Sequence, residues 1–139
     1  AHEQVRTGET PLAAQAGEWL ERAADAAEAR FAYGEAAAHL ATALERVDAM
    51  GATPASDRSA RTGMLCIRLG EMLVLAHGYS RPEVGEAYTR ALAIFEHADA
   101  PLGMFTAEMG LAVVDLTRAR YEAIGDQGAL LKNGVGCRV

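Results

Sequence analysis

Gly78-Tyr79-Ser80-Arg81-Pro82-Glu83-Val84 is the stretch that decides the fold, because it combines signals that end one helix and begin another. Gly78 can adopt the left-handed conformation that commonly closes a helix. Ser80 is a preferred N-cap residue, and Glu83 stands three residues later, which is the spacing of a capping box. Pro82 falls in the first turn of the next helix, where its missing N–H leaves no hydrogen bond unmade. The stretch therefore predicts two helices joined by a tight turn and packed antiparallel.

The composition of the chain is that of a single all-α domain. Half of the 139 residues are hydrophobic, only 6% are aromatic, and 30 are alanine. This length is sufficient for one hydrophobic core, and alanine is the best helix former. Apolar residues do not alternate with polar ones over a useful length, as they would in exposed strands. We therefore predict one domain over residues 1–139, made of about five helices stacked as antiparallel hairpins.

Helix-start and helix-stop residues divide the chain into two and a half hairpins. Thr10 and Pro101 are typical of helix starts, whereas Gly34 is predicted to end the first helix and Gly125 to end the last helix. The predicted segments are a first hairpin at 10–50, a second at 56–99, half of a third at 101–125, and a frayed tail at 126–139. The helix after residue 56 is apolar on nearly all sides, so we expect it to be central.

The two hairpins share a pattern of bulky and small residues. In the second helix of each, Leu40 or Tyr88 is followed three residues later by Ala-Leu. Small residues stand where packed helices would approach closely: Ala24 and Ala36 in the first hairpin, Gly70 in the second, and Gly110 in the last helix. This pattern resembles the tetratricopeptide repeat (TPR), a helical hairpin of about 34 residues. The resemblance implies a short right-handed superhelix.

Residues 68–96 carry a narrower resemblance. Their Gly-Tyr, Pro-Glu-Val and Ala-Tyr-x-Arg-Ala elements are similar to a degenerate TPR region of large bacterial signalling proteins, where it follows an ATPase module. These proteins are the LuxR-type ATP-binding regulators and the class III nucleotidyl cyclases. The resemblance implies a protein-interaction or regulatory module of a larger regulator. The chain contains no Walker, cyclase or DNA-reading motif, so we do not expect those activities here.

Four acidic side chains lie along one face of the first helix. At about 100° per residue they fall within about 80° of arc, and in TPR geometry this face lines a concave groove. They are Glu18, Glu21, Asp25 and Glu28. The row is either a groove wall for a basic or amphipathic protein segment, or the solvated face of an amphipathic helix.

The same register assigns a mostly apolar floor to the predicted groove. Its residues are Met64, Ile67, Glu71 and Val74 on the third helix, and Met104, Ala107, Leu111 and Val114 on the fifth. An apolar floor with methionines beside an acidic edge would suit an apolar peptide with basic flanks. Alternatively, these residues pack in the core or against a second copy, or they form a small-molecule-sensing pocket between helices 3 and 5.

No residue pattern predicts catalysis, a metal site or a cofactor. His39, His77 and His97 stand on three different helices without a ligand partner at helical spacing. Cys66 lies in a strongly apolar helix, where thiols are usually inert. The single glycines do not form a phosphate-binding loop. We therefore expect a chain that is not an enzyme and that binds no metal or cofactor.

The charge and the unfinished third hairpin give expectations about partners. A net charge of −6 argues against binding to nucleic acid or to anionic membranes. No apolar run approaches the roughly 18 residues of a membrane span, and no secretion signal is recognisable, so we expect a cytoplasmic protein. A repeat array without a polar cap exposes apolar surface. We therefore expect self-association through helix 5.

Overall fold

The computed structural model describes residues 11–50 and 56–136 of the chain. The described residues form five helices: α1 (Pro11–Ala29), α2 (Tyr33–Ala49), α3 (Ser56–His77), α4 (Pro82–His97) and α5 (Pro101–Gly136). Each helix packs against the next one in the chain, and α3 also contacts α5. No strand occurs in these residues. The predicted all-α fold of helical hairpins is confirmed. The predicted N-cap Thr10 lies outside the described residues.

Alanine closes the first hairpin. Ala24, Ala27 and Ala36 are completely buried. Because the side chain at each of these positions is only a methyl group, α1 and α2 can approach closely. Leu40 and Leu44 of α2 are buried in the same core cluster. The pairing of small residues with leucines therefore supplies the core of this half of the molecule.

Tyr88 of α4 lies between the backbones of α3 and α5. A Cβ atom added to Gly70 of α3 would stand 3.0 Å from the Tyr88 ring, and one added to Gly110 of α5 would stand 2.6 Å from it. The ring therefore occupies space that any larger residue at Gly110 would need. Gly70 was predicted to mark a close approach of helices, and the structure identifies Tyr88 as the group that approaches.

Phe95 repeats this arrangement one heptad later. A Cβ atom added to Gly63 would stand 2.7 Å from Cζ of Phe95, and one added to Gly103 would stand 2.6 Å from its Cγ. The glycines on α3, the rings on α4 and the glycines on α5 are thus each separated by seven residues. A seven-residue step returns to nearly the same helix face, so two equivalent contacts join the three helices.

The turn between α3 and α4 differs from its prediction at one cap. Gly78 has a φ of +81°, and its N–H donates to the Val74 carbonyl at 2.7 Å, so the predicted left-handed helix end is confirmed. The capping box is wrong, because the N-cap is Arg81 and no side chain makes a capping hydrogen bond. Proline favours the first helical position and keeps the preceding residue extended. Pro82 therefore places Arg81, not Ser80, at the cap.

The first hairpin turns earlier than the glycine pattern predicted. α1 ends at Ala29, and Gly34 lies inside α2. Phe31 supplies the left-handed residue instead, with a φ of +62°, and the Ala32 N–H donates to the Ala27 carbonyl at 2.9 Å. Asp99 has the same role between α4 and α5, with a φ of +52°. Hydrogen bonds to the freed carbonyls thus close these helices without glycine.

The prediction that Gly125 ends the last helix is also wrong. α5 continues to Gly136, so most of the predicted tail at 126–139 is helical, while residues 137–139 lie outside the described residues. One glycine in a helix interior costs only about 1 kcal/mol relative to alanine. The residues after Gly125 include alanine, leucine, glutamine and lysine, which favour helix. None of the described helices is long and apolar enough to cross a membrane.

Candidate interaction surfaces

The acidic row on α1 is paired with two arginines of α3. Arg61 donates to the Glu21 carboxylate, and Arg68 donates to both Asp25 and Glu28, the latter at 2.9 Å. Three of the four predicted groove acids therefore face arginines of the same chain. This pairing was not predicted. Its spacing is visible in the sequence, because Glu21 and Glu28 are seven residues apart, and so are Arg61 and Arg68.

Glu71 lies next to this ion-pair network. Burial raises the pKa of Glu71, and the Glu28 carboxylate raises it further against the opposing effect of Arg68. The positive charge of Arg68 therefore partly offsets the repulsion between the carboxylates of Glu28 and Glu71. Glu18, the fourth acid of the row, is exposed. Of the predicted acidic wall, Glu18 is the part that lies free of this network.

The structure separates the predicted groove floor into buried and accessible residues. Ile67 is only 2% exposed, so its assignment to an accessible groove is wrong. Buried or half-buried positions packed in or against the core are Ile67, Val74, Met104, Ala107, Leu111 and Val114. Met64 is 55% exposed, and Glu71 is exposed as well. Core packing, the alternative left open by the sequence, accounts for most of the predicted floor.

A pocket of about 480 Å³ opens between α2, α3 and α4. It does not coincide with the pocket predicted between helices 3 and 5, where Tyr88 and Phe95 of α4 lie instead. Four ionisable side chains contribute to its mostly apolar lining: His77, Glu83, Glu86 and Arg90. Arg90 also donates to Asp48 of α2 at 2.5 Å. The pocket is therefore apolar, with an ion pair at one side.

Cys66 contributes to the same pocket lining. Burial raises the pKa of the Cys66 thiol, while Arg90 acts in the opposite direction and Asp48 adds to the increase. A thiol in such surroundings stays protonated and reacts slowly. Among the described residues, no cluster of three or more His, Cys, Asp or Glu side chains could hold a metal ion.

One side of α5, which we call its outer face, carries several large apolar side chains that are accessible. We use this name for Leu102, Phe105, Met109, Leu116 and Leu130. Their exposed fractions range from 52% to 79%. They lie opposite the inner face of α5, which carries Gly103, Gly110 and the buried Ala107 and Val114. α5 therefore has two apolar faces, and only the inner one packs against the rest of the domain.

The second half of α5 extends beyond the other helices. From Arg118 to Lys132 every residue is exposed, a length of about 22 Å at the usual helical rise. An isolated helix of this length is marginal in water. The extension also contains Gly125 and Gly128, which lower helix propensity further. Sequence reasoning missed the extension because it took Gly125 as a stop.

Comparisons of the chain with protein-family models, with curated proteins and with solved structures found no match. The resemblance to TPR regions of bacterial regulators stays a prediction.

Proposed function

We propose that the chain is a non-catalytic protein-interaction module of a larger bacterial signalling or transcription regulator. The observation that carries this proposal is the outer face of α5, a row of exposed apolar side chains along one side of a single long helix. Large exposed apolar patches typically mark interaction sites. The parent class rests on the resemblance of residues 68–96, and the cytoplasmic location on the expectation drawn from the sequence.

The shape of the outer face favours a protein partner over a small molecule. Its side chains follow one another along the helix from Leu102 to Leu130, a distance of about 42 Å at 1.5 Å per residue. A small ligand usually binds in a concave pocket that covers most of its surface. A long convex strip instead matches an apolar stripe on another helix.

The predicted concave groove has a smaller role in this proposal. Its exposed members are Glu18, Asp25, Met64 and Glu71, and Asp25 is already paired with Arg68. A partner with basic flanks would have to compete with Arg61 and Arg68 for the acids of α1. The groove therefore supplies a secondary contact for such a peptide, and the outer face of α5 supplies the main one.

Site-specific photocrosslinking in the native host tests the proposal. A photoreactive residue at Met109 of the outer face is expected to give discrete protein adducts, which should disappear when Leu116→Glu is added. The same residue placed at Glu45, an exposed position on α2, is the matched control. If Met109 gives no protein adduct beyond those of the Glu45 control, the proposed interaction function is wrong.

The pocket between α2, α3 and α4 favours a second candidate function, the sensing of a small apolar molecule. Its volume is in the range of ligand sites. A metabolite that raises the melting temperature of the chain, but not that of an Ala41→Leu variant whose pocket is partly filled, would support it. If no compound in a broad library has this effect, the sensor function is excluded.

A further inference from the structure

We infer that the outer face of α5 pairs antiparallel with the outer face of a second copy of the chain. This inference rests on the proposed function, because it takes that face to be a protein-binding surface. It goes further by naming the occupant and the register. Three observations carry it: the spacing of the apolar residues, their sizes, and the exposed second half of α5.

The outer face has the spacing of a coiled-coil seam. From Phe105 the residues on this side follow at alternating steps of four and three, through Met109, Ala112, Leu116 and Ala119 to Ala123. Such a heptad pattern keeps an apolar stripe facing a partner helix over several turns. The glycines of the inner face, which are also seven residues apart, already pack against α4. The apolar repeat of the outer face therefore has no partner within the described domain.

The sizes of the residues select the antiparallel orientation. When two copies of α5 cross antiparallel about residue 114, every bulky residue in the central part meets an alanine. Phe105 faces Ala123 of the second copy, Met109 faces Ala119, and Leu116 faces Ala112. Alternation of large and small residues across facing positions allows side chains to interdigitate. In a parallel pair each bulky residue would face itself, and the alanines would leave gaps.

The antiparallel pair also covers the exposed second half of α5. In this register residues 118–127 of one copy would lie along residues 101–110 of the other, the part of α5 that is anchored by Gly103 and Gly110 against α4. Each extension thus takes the place of a second helix that would complete the third hairpin. Two symmetric contacts of this kind close the assembly as a dimer.

The flanking charges give this orientation a distinctive salt dependence. Glu108, Asp115 and Glu122 border the seam on one side. In the antiparallel pair Glu108 meets Glu122, and Asp115 meets its own copy, so sodium chloride should strengthen association by screening the repulsion. A parallel pair would instead place Asp115 beside Arg120 of the second copy, and salt would weaken it.

Sedimentation of the purified full chain tests the pairing. We expect the wild-type chain to form a dimer in a concentration-dependent way. The dissociation constant of the Leu116→Glu dimer should be at least about 100-fold larger. Leu116 is largely exposed, so the helical circular dichroism of the variant should match that of the wild type. A chain that stays monomeric up to about 100 μM overturns the inference. The proposed function would survive that result if Met109 still crosslinks to a different protein.

Cysteine crosslinking tests the register. In a Cys137→Ser background, a chain carrying both Phe105→Cys and Ala123→Cys should form disulfide-linked dimers, because these positions face each other. The single Phe105→Cys variant is the control and should stay uncrosslinked. Crosslinking of the single variant, or a dimer that weakens as sodium chloride increases, overturns the antiparallel arrangement.

Discussion

Replacing Gly110 by alanine adds one methyl group where the Tyr88 ring lies against the backbone of α5. The new Cβ would stand 2.6 Å from Cδ1 and Cε1 of the ring. The ring cannot retreat freely, because a Cβ on Gly70 at its other side would already be at 3.0 Å. Overpacking of a core costs about 1 to 3 kcal/mol, and the better helix propensity of alanine returns about 1 kcal/mol. We expect a net loss of up to about 2 kcal/mol in the free energy of unfolding.

Urea unfolding followed by circular dichroism measures this loss, at one fixed chain concentration because association would change the apparent stability. Gly17→Ala is the matched control. It lies inside α1, and an added Cβ would meet nothing within 4 Å. This variant should gain about 0.5 to 1 kcal/mol from propensity alone. The two glycine-to-alanine changes are thus expected to have opposite signs.

A double-mutant cycle with Tyr88→Leu separates the ring contact from other effects of Gly110→Ala. With the ring removed, the added methyl has no aromatic atoms to meet, so Gly110→Ala should become neutral or stabilising. The close approach of Tyr88 to Gly110 would be refuted if Gly110→Ala stabilises the wild-type chain as much as Gly17→Ala does. The close approach would also be refuted if the effect of Gly110→Ala on stability were the same with and without Tyr88→Leu.

Four further outcomes are expected. Arg68→Gln should lower the free energy of unfolding by about 1 kcal/mol at pH 7, measured by urea unfolding, because Arg68 links acids of α1 to α3. Glu71→Gln should stabilise the chain at pH 7 and have no effect near pH 3, since a raised pKa in the folded state makes ionisation of Glu71 costly only as the pH rises. Burial raises the pKa of Tyr88 to about 12 from its ordinary 10.0, so wild-type stability should fall from about pH 10 to 12 as the unfolded tyrosine ionises first; the fall should be smaller in Tyr88→Phe, where the buried Cys66 thiol still contributes in the same direction. Amide hydrogen exchange in residues 118–127 should slow as the chain concentration rises, and unchanged rates would argue that no second copy covers this segment.

The residues that punctuate helices predicted the fold where their local effect was decisive. Gly78 and Pro82 together gave the turn between α3 and α4, because a left-handed glycine and a proline at the first helical position each act within a few residues. Gly34 and Gly125 gave wrong helix ends, because a single glycine lowers the stability of a helix only slightly when its neighbours favour helix. The left-handed role of Phe31 carries no sequence signal, since bulky residues rarely adopt a positive φ.

The candidate surfaces were harder to predict, because each depends on which helices are neighbours. The acids of α1 could be placed on one face from spacing alone, but their partners Arg61 and Arg68 lie about forty residues away in the chain. Ile67 had the register of a groove residue, yet the packing of α3 between its neighbours buries it. The outer face of α5 was foreseen as an uncapped end, whereas its full length was not.

The seven-residue repeats of Gly63 and Gly70, Tyr88 and Phe95, and Gly103 and Gly110 make α3, α4 and α5 one mechanical unit. Sliding α4 by one residue, about 1.5 Å, would press both rings against side chains that bear a Cβ. Both contacts would fail together, so small displacements are resisted in either direction. Among the described residues, no comparable contact between a ring and a glycine joins α1 to α2. These two alanine-packed helices can therefore slide past each other by small steps. A force that reaches α5 is therefore expected to move α3, α4 and α5 together, and the strain is taken up between α1 and α2.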